Sequence, residues 1–213
     1  MPAQGHASKG GKAAVALFDR MKKDGQADIE AFWAEMAPCD HILQLYEDDG
    51  TFLDVLERFV TDGFKNGDSV VVIATAEHLN ALTRRLAGFE LAALEADDRY
   101  IPLDARETLS RFMVADWPDD ALFRKTITRI LGRARQNGRR VRAFGEMVAL
   151  LWAQGDNGAT IRLEHLWNNL MKVYTFSLFC AYPKGGFTED AAESIERICA
   201  RHSKMVPQAA CGA

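Results

Sequence analysis

Apolar and polar positions alternate in blocks from about residue 40 onward. Short apolar segments are separated by longer segments in which apolar residues recur every three or four positions, as on one face of a helix. The predicted strands are 41–46, 70–74, 99–103, 140–144 and 176–182. Because strands and helices alternate five times, we predict an α/β fold with a mostly parallel sheet of five or more strands and helices on both faces.

The segments with helical spacing give the remaining elements of this domain. The predicted helices are 52–64, 75–86, 91–96, 104–114, 119–137, 147–153, 159–172 and 189–203. Thr75 and either Asp48 or Asp49 are suitable N-caps for the helices that follow them. The continuous apolar run 70–74 is typical of a strand buried on both faces, and Pro102 favours an edge or a strand end.

The first part of the chain has a different pattern. Two short amphipathic helices are predicted at 12–23 and 28–36, after a small and polar start. They carry few basic residues, so DNA binding is not expected, and we predict that they pack on the domain or form a homodimer through residues 12–36. The predicted organisation is an N-terminal helical arm at 1–38, a domain at 39–207 and a disordered tail at 208–213.

In parallel α/β sheets, ligands bind beyond the carboxyl ends of the strands. The turn after the first predicted strand reads Tyr46-Glu-Asp-Asp-Gly-Thr-Phe52 and lacks the glycines and lysine of a phosphate-binding loop. Its three carboxylates would repel a triphosphate. They would hold Mg²⁺ or a cationic ligand, or else one of them caps the next helix.

Two other acidic positions have open interpretations. Glu146 directly follows a predicted strand and Gly145, where it is either a functional carboxylate or a first-turn helix carboxylate. Glu164 and Asn168 share one helix face, where they either bracket a site or bind each other.

Composition narrows the function further. The net charge of −4 gives no general attraction to nucleic acid or anionic lipid. Five arginines within 133–142 form a local exception, which would hold a phosphate or carboxylate or would simply be solvated. No signal peptide or membrane-length apolar run is present, so a cytoplasmic protein is expected.

The chain shows no familiar pattern of catalytic or metal-binding residues. The four cysteines have no C-x-x-C spacing, the histidines are scattered, and no serine-nucleophile motif occurs. We interpret His41 and His202 as structural residues of the core, and we expect no catalytic residue, metal or cofactor.

Six sequence segments together resemble the MEDS domain, the methanogen and methylotroph sensory domain of the dichloromethane-dehalogenase regulator. They are HILQLYEDD at 41–49, VVIATAEH at 71–78, RAFGEMVALLW at 142–152, LEHLWN at 163–168, LFCAYP at 178–183 and ICARHS at 198–203. The resemblance covers about residues 40–207 and leaves out the N-terminal arm.

The resemblance implies a three-layer RecA- or KaiC-like fold without a phosphate loop, and a signalling role beside histidine kinases or DNA-binding regulators. Small hydrocarbon derivatives are the ligands that it implies. Since no kinase or DNA-binding segment accompanies the domain, we expect it to act on a separate signalling partner.

The leading hypothesis is a non-catalytic sensory domain with a small organic ligand at the strand ends. Its predicted ligand-binding residues are Tyr46, Glu47, Arg142, Glu146, Trp167 and Tyr182. The alternatives are a purely protein-binding adaptor or antagonist in a kinase or sigma-factor pathway, and a degenerate KaiC-like nucleotide-binding protein.

Overall fold

The computed structural model describes residues 32–33, 36–186, 196 and 198–206. Most of the predicted N-terminal arm and most of the predicted helix 189–203 fall outside these residues, as does the tail 208–213. The homodimer predicted through residues 12–36 therefore stays a prediction.

The elements follow the predicted alternation. The strands are β1 His41–Tyr46, β2 Ser69–Ala74, β3 Tyr100–Asp104, β4 Met113–Val114, β5 Trp117–Pro118, β6 Val141–Gly145, β7 Ser177–Pro183 and β8 Lys204–Met205. The helices are α1 Asp49–Lys65, α2 Ala76–Arg85, α3 Leu91–Ala96, α4 Ala105–Ser110, α5 Asp120–Ala134, α6 Met147–Ala153 and α7 Asn157–Met171.

Six strands form a parallel sheet in the order β3-β2-β6-β7-β1-β8. This arrangement confirms the predicted α/β fold with a mostly parallel sheet. β3 lies at one edge of the sheet, as Pro102 suggests. Proline has no backbone N–H to donate, and it is therefore tolerated on an edge strand, where one side of the strand needs no partner. At the other edge β8 pairs with β1 through Ile42 and Leu43, and the sequence pattern did not predict this short strand.

Alternate residues of the central strands face two separate apolar cores. In β2, Val71 and Ile73 join the core beneath α4–α7, whereas Val70 and Val72 join the core beneath α1–α3. This two-sided burial is why the run 70–74 is apolar throughout. The helices that follow β2 and β6 therefore pack on opposite faces, and in open α/β sheets ligands bind at the C-terminal strand ends where such a change of face occurs.

The predicted helix 104–114 is wrong beyond residue 110. α4 ends at Ser110, and β4 and β5 form an antiparallel hairpin over the next residues. Ala115 and Asp116 form its turn with φ of 48° and 61°, a conformation more often adopted by Asn-Gly. Without that signature, the apolar residues of the hairpin have the spacing of a helix face.

Among the residues that the structure describes, no helix is both long and apolar enough to cross a membrane.

Candidate functional site

Glu146 lies at the C-terminal ends of β2 and β6. Its backbone N–H donates to the Ile73 carbonyl at 2.8 Å, which fixes it beside β2. Its carboxylate accepts from the Thr75 backbone N–H at 2.7 Å and lies 2.8 Å from His78 Nδ1. The Glu146 side chain is almost fully buried, so these contacts replace the water that a carboxylate needs. We call Thr75, His78 and Glu146, with Asp49, the edge cluster.

His78 joins two carboxylates of this cluster. Its second ring nitrogen, Nε2, is 3.7 Å from the Asp49 carboxylate at the start of α1. The hydrogen bond to Glu146 raises the pKa of His78 above its ordinary value, and Asp49 adds to this effect against the opposing influence of burial. The protonated imidazolium is thus favoured at this position.

Two aromatic rings border the edge cluster. Tyr46 stacks on Phe52 with ring centroids 4.9 Å apart, and Phe52 meets the His78 ring edge-on at the same distance. Burial, with the Glu146 and Asp49 carboxylates, raises the pKa of the Tyr46 phenol, which therefore stays a neutral hydrogen-bonding group. The edge thus combines acidic groups with apolar ring surface.

Asp48 occupies the place at which a phosphate loop would begin. Its carboxylate accepts from the Thr51 backbone N–H at 2.9 Å and from the Thr51 hydroxyl at 2.8 Å, so Asp48 is the N-cap of α1. These bonds lower the pKa of Asp48. The N-terminus of α1 is therefore satisfied by the protein's own anion, and the helix-capping interpretation of this acidic turn is confirmed.

A second group of polar side chains is enclosed on the opposite face of the sheet, beneath α7 and the segment 198–203. It comprises His41, Glu164, Cys180, Tyr182 and His202, which we call the buried cluster. The His41 and His202 rings lie 3.9 Å apart between centroids. His41 Nε2 is 3.4 Å from Glu164 Oε2 and 3.5 Å from Cys180 Sγ.

Hydrogen bonds at the rim fix the orientation of this cluster. His202 Nδ1 lies 2.7 Å from the Ile198 carbonyl, and His41 Nδ1 lies 3.4 Å from Asn168 Oδ1. The Tyr182 hydroxyl donates to Glu164 Oε1 at 2.5 Å. Among the residues that the structure describes, the enclosed His202 Nε2 has no hydrogen-bond partner, whereas the Glu164 carboxyl also interacts with the Cys180 thiol.

Burial dominates the ionisation of these groups. It lowers the pKa of His41 and of His202 to about 4, and the two imidazoles are therefore neutral near pH 7. Burial also raises the pKa of the Glu164 carboxyl, and it raises those of the Cys180 thiol and the Tyr182 phenol. Such a concentration of perturbed groups in an interior is characteristic of functional sites.

The family model of the methanogen/methylotroph DcmR sensory domain, MEDS, matches residues 40–202. The chain belongs to the MEDS family. Both clusters lie within the matched range, which begins just before β1 and ends at His202. No curated protein matches the chain.

The MEDS chain brings only some of its six predicted ligand-binding residues together. Tyr46 and Glu146 both lie at the edge cluster, where the Glu146 carboxylate contributes to the raised pKa of Tyr46. Glu47 lies outside this cluster, and its exposed carboxylate is 2.8 Å from the Lys184 ammonium. Tyr182 belongs to the buried cluster, on the other face of the sheet.

Trp167 and Arg142 also lie away from the edge cluster. Trp167 is buried on the face of α4–α7, where it packs against Gly145 and the Phe123 ring. Arg142, near the start of β6, is buried with its Nε 2.7 Å from Asp68 Oδ2. Because Asp68 directly precedes β2, this ion pair lies toward the N-terminal ends of the strands, away from Glu146.

Sequence reasoning overlooked the buried cluster as a site. His41 and Cys180 are 139 positions apart, and the four elements that supply the cluster share no local spacing. The one available signal was that polar residues interrupt otherwise apolar segments, such as His41 at the start of β1. Each such residue on its own is typical of a hydrogen-bonded core residue.

Proposed function

We propose that this MEDS chain is a non-catalytic sensory domain that binds a small organic cation at the edge cluster. The observation that supports this proposal is the buried Glu146 carboxylate, which lies at the C-terminal ends of β2 and β6 beside His78. Polar groups at the C-terminal ends of parallel strands are well placed to orient a ligand.

The charge and shape of this edge favour a cation over an anion. Asp49 is exposed, and Glu146 lies behind it with His78 in between. A ligand ammonium would take the place of the His78 imidazolium between the two carboxylates, while its apolar part would contact the rings of Tyr46 and Phe52. A triphosphate has neither a free helix N-terminus nor a lysine-bearing loop in this turn, because Asp48 caps α1.

A series of ligands with matched size and different charge tests this proposal. Butylammonium, 1-butanol and butanoate would be titrated calorimetrically into the full chain, with Mg·ATP as a fourth ligand. We expect saturable binding of butylammonium with a Kd of about 1 mM or tighter, a range accessible to a ligand of this size. We expect no binding of butanoate or Mg·ATP.

Glu146→Gln is the informative variant, because it keeps the side-chain size and removes the charge. Glu77→Gln, an exposed position on α2, is its control. Butylammonium binding should be lost in the first variant and retained in the second. Equal binding of all three small ligands, or micromolar binding of Mg·ATP, would contradict the proposal.

We further propose that the domain passes its state to a separate signalling protein such as a histidine kinase or a transcription regulator. The alternative of a pure adaptor is favoured by the β4–β5 hairpin, where Val114 is 53% and Trp117 is 49% exposed. Leu122 at the start of α5 is partly exposed as well. Exposed apolar residues grouped in this way are typical of protein-binding surfaces.

Co-purification with a candidate histidine kinase separates these two functions. If the domain is only an adaptor, Trp117→Ser should abolish the complex, and butylammonium should not change its amount. If the domain is a sensor, butylammonium should change the amount of complex, and Glu146→Gln should remove that response.

The predicted homodimer is tested by deleting residues 1–38 and measuring the mass by light scattering. An unchanged mass would argue against a homodimer formed through this segment.

A further inference from the structure

We propose that the buried cluster is a tetrahedral binding site for a transition-metal ion of the zinc class. Its ligands would be His41 Nε2, Cys180 Sγ, His202 Nε2 and a carboxylate oxygen of Glu164. This site is distinct from the edge cluster and lies on the other face of the sheet.

Three of the six distances between donor atoms have the values that this geometry requires, and the others are at most 4.8 Å. Metal bonds of about 2.0–2.3 Å in a tetrahedral site place neighbouring ligand atoms about 3.3–3.7 Å apart. His41 Nε2 lies 3.4 Å from Glu164 Oε2 and 3.5 Å from Cys180 Sγ. His202 Nε2 lies 3.6 Å from Glu164 Oε1, and all four donors fall within 4.8 Å of one another.

The rim hydrogen bonds leave the correct atoms available. With its Nδ1 proton donated to the Ile198 carbonyl, His202 presents the lone pair of Nε2 to the centre of the cluster. Asn168 Nδ2 donates to the Glu164 carbonyl, so Asn168 Oδ1 faces His41 Nδ1 and accepts its proton. Metal-binding histidines are oriented by acceptors of this kind on the other ring nitrogen.

Without a cation, the centre of the cluster is electrostatically unfavourable. The lone pair of His202 Nε2 is enclosed with no hydrogen-bond partner among the described residues, and Glu164 Oε2 faces the His41 ring at 3.4 Å. An unpaired buried polar group is costly. A divalent ion would bind these lone pairs and balance the charges of the Glu164 carboxylate and a Cys180 thiolate. The site would then be neutral overall, as burial requires.

The donor set selects the class of metal. One sulfur, two imidazole nitrogens and one carboxylate oxygen suit Zn²⁺ and are too soft for Mg²⁺ or Ca²⁺. Four protein ligands close the coordination shell, which is typical of a structural site. Because only Ser203 separates His202 from β8, the ion would tie the segment 198–206 to β1, β7 and α7.

Metal titration of the full chain tests this site directly. After treatment with a chelator, the protein would be titrated with Zn²⁺ and then with Co²⁺, whose absorption reports both geometry and sulfur ligation. We expect one ion per chain, tetrahedral cobalt bands and one thiolate-to-cobalt charge-transfer band. Zn²⁺ should raise the melting temperature and slow hydrogen exchange in the segment 198–206.

Cys180→Ser and His202→Gln are the test variants, with matched controls. Cys180→Ser should lose the charge-transfer band, and His202→Gln should weaken Co²⁺ binding at least 100-fold. Cys39→Ser removes an exposed thiol and His165→Gln removes a histidine outside the donor set, so both should bind like the wild type.

The wild type alone can overturn the proposal, even if a variant fails to fold. X-ray absorption of the zinc-loaded chain should show one sulfur and three nitrogen or oxygen ligands. No saturable metal uptake, a spectrum with no sulfur ligand or with more than one, or retention of the charge-transfer band in Cys180→Ser would each refute the assignment.

Discussion

The replacement Glu146→Gln tests how the edge of the sheet is held together. The Glu146 carboxylate accepts from the Thr75 backbone N–H at 2.7 Å and lies 2.8 Å from His78 Nδ1. Hydrogen bonds to a charged group contribute about 1.5–3 kcal/mol each. Because glutamine keeps one oxygen acceptor, it can preserve the Thr75 bond but loses the charge paired with His78. We therefore expect a loss of about 2 kcal/mol in the free energy of unfolding at pH 6.

The loss should depend on pH, because His78 titrates. The folded-state pKa of His78 lies above its ordinary value of 6.5, first because of Glu146 and then because of Asp49. A raised pKa contributes stability that is fully present below about pH 6.5 and is lost as the pH rises through the folded-state value. The wild type should thus lose stability as the pH rises above about 6.5, and the variant should lose much less.

Urea unfolding monitored by tryptophan fluorescence measures both effects. The free energy of unfolding falls by about 2 kcal/mol for each molar increase in urea, so a loss of about 2 kcal/mol lowers the urea midpoint by about 1 M. Glu77→Gln, exposed on α2, should leave the midpoint and its pH dependence unchanged. If Glu146→Gln had the wild-type midpoint at pH 6 and the wild-type pH dependence, the proposed coupling between Glu146 and His78 would be wrong.

Three further changes test other parts of the structure. Asp68→Asn leaves the buried Arg142 guanidinium without its partner and should cost about 3–5 kcal/mol in urea unfolding, whereas Asp62→Asn on α1 should cost little. Asp48→Ala removes the N-cap of α1 and should cost about 1 kcal/mol, which Asp48→Ser should largely restore. Phe144→Ala opens a cavity between Phe52 and Phe179 and should lower stability by about 3–5 kcal/mol, as measured by the same assay.

Much of the fold could be predicted because local patterns determine it. β1, α3 and α6 begin and end at the predicted residues, and Thr75 is the predicted N-cap of α2. The β4–β5 hairpin could not be predicted, because Ala115 and Asp116 adopt left-handed conformations that neither residue type indicates in the sequence. β8 is only two residues long and pairs with β1 across most of the chain length, so its formation depends on long-range packing.

The same distinction between local sequence patterns and long-range packing applies to the candidate sites. Glu146 could be predicted because it directly follows a strand, and the C-terminal ends of parallel strands lie along one edge. Arg142 and Glu146 are close in the sequence, and this proximity suggests one site. However, Arg142 lies near the start of β6 and Glu146 directly follows its end, so the five-residue strand holds them apart. His41, Glu164, Cys180 and His202 come together only through the pairing of β1 with β7 and the packing of α7, which no local spacing reveals.

The most direct test of the proposed function is a two-dimensional amide NMR titration of the full chain with butylammonium and, separately, with Mg·ATP. Butylammonium should shift the amides of Thr75, His78 and Glu146 saturably, and Mg·ATP should leave the amides of Gly50 and Thr51 unchanged. Shifts of Gly50 and Thr51 with Mg·ATP, or no response of the edge cluster to butylammonium, would contradict the account.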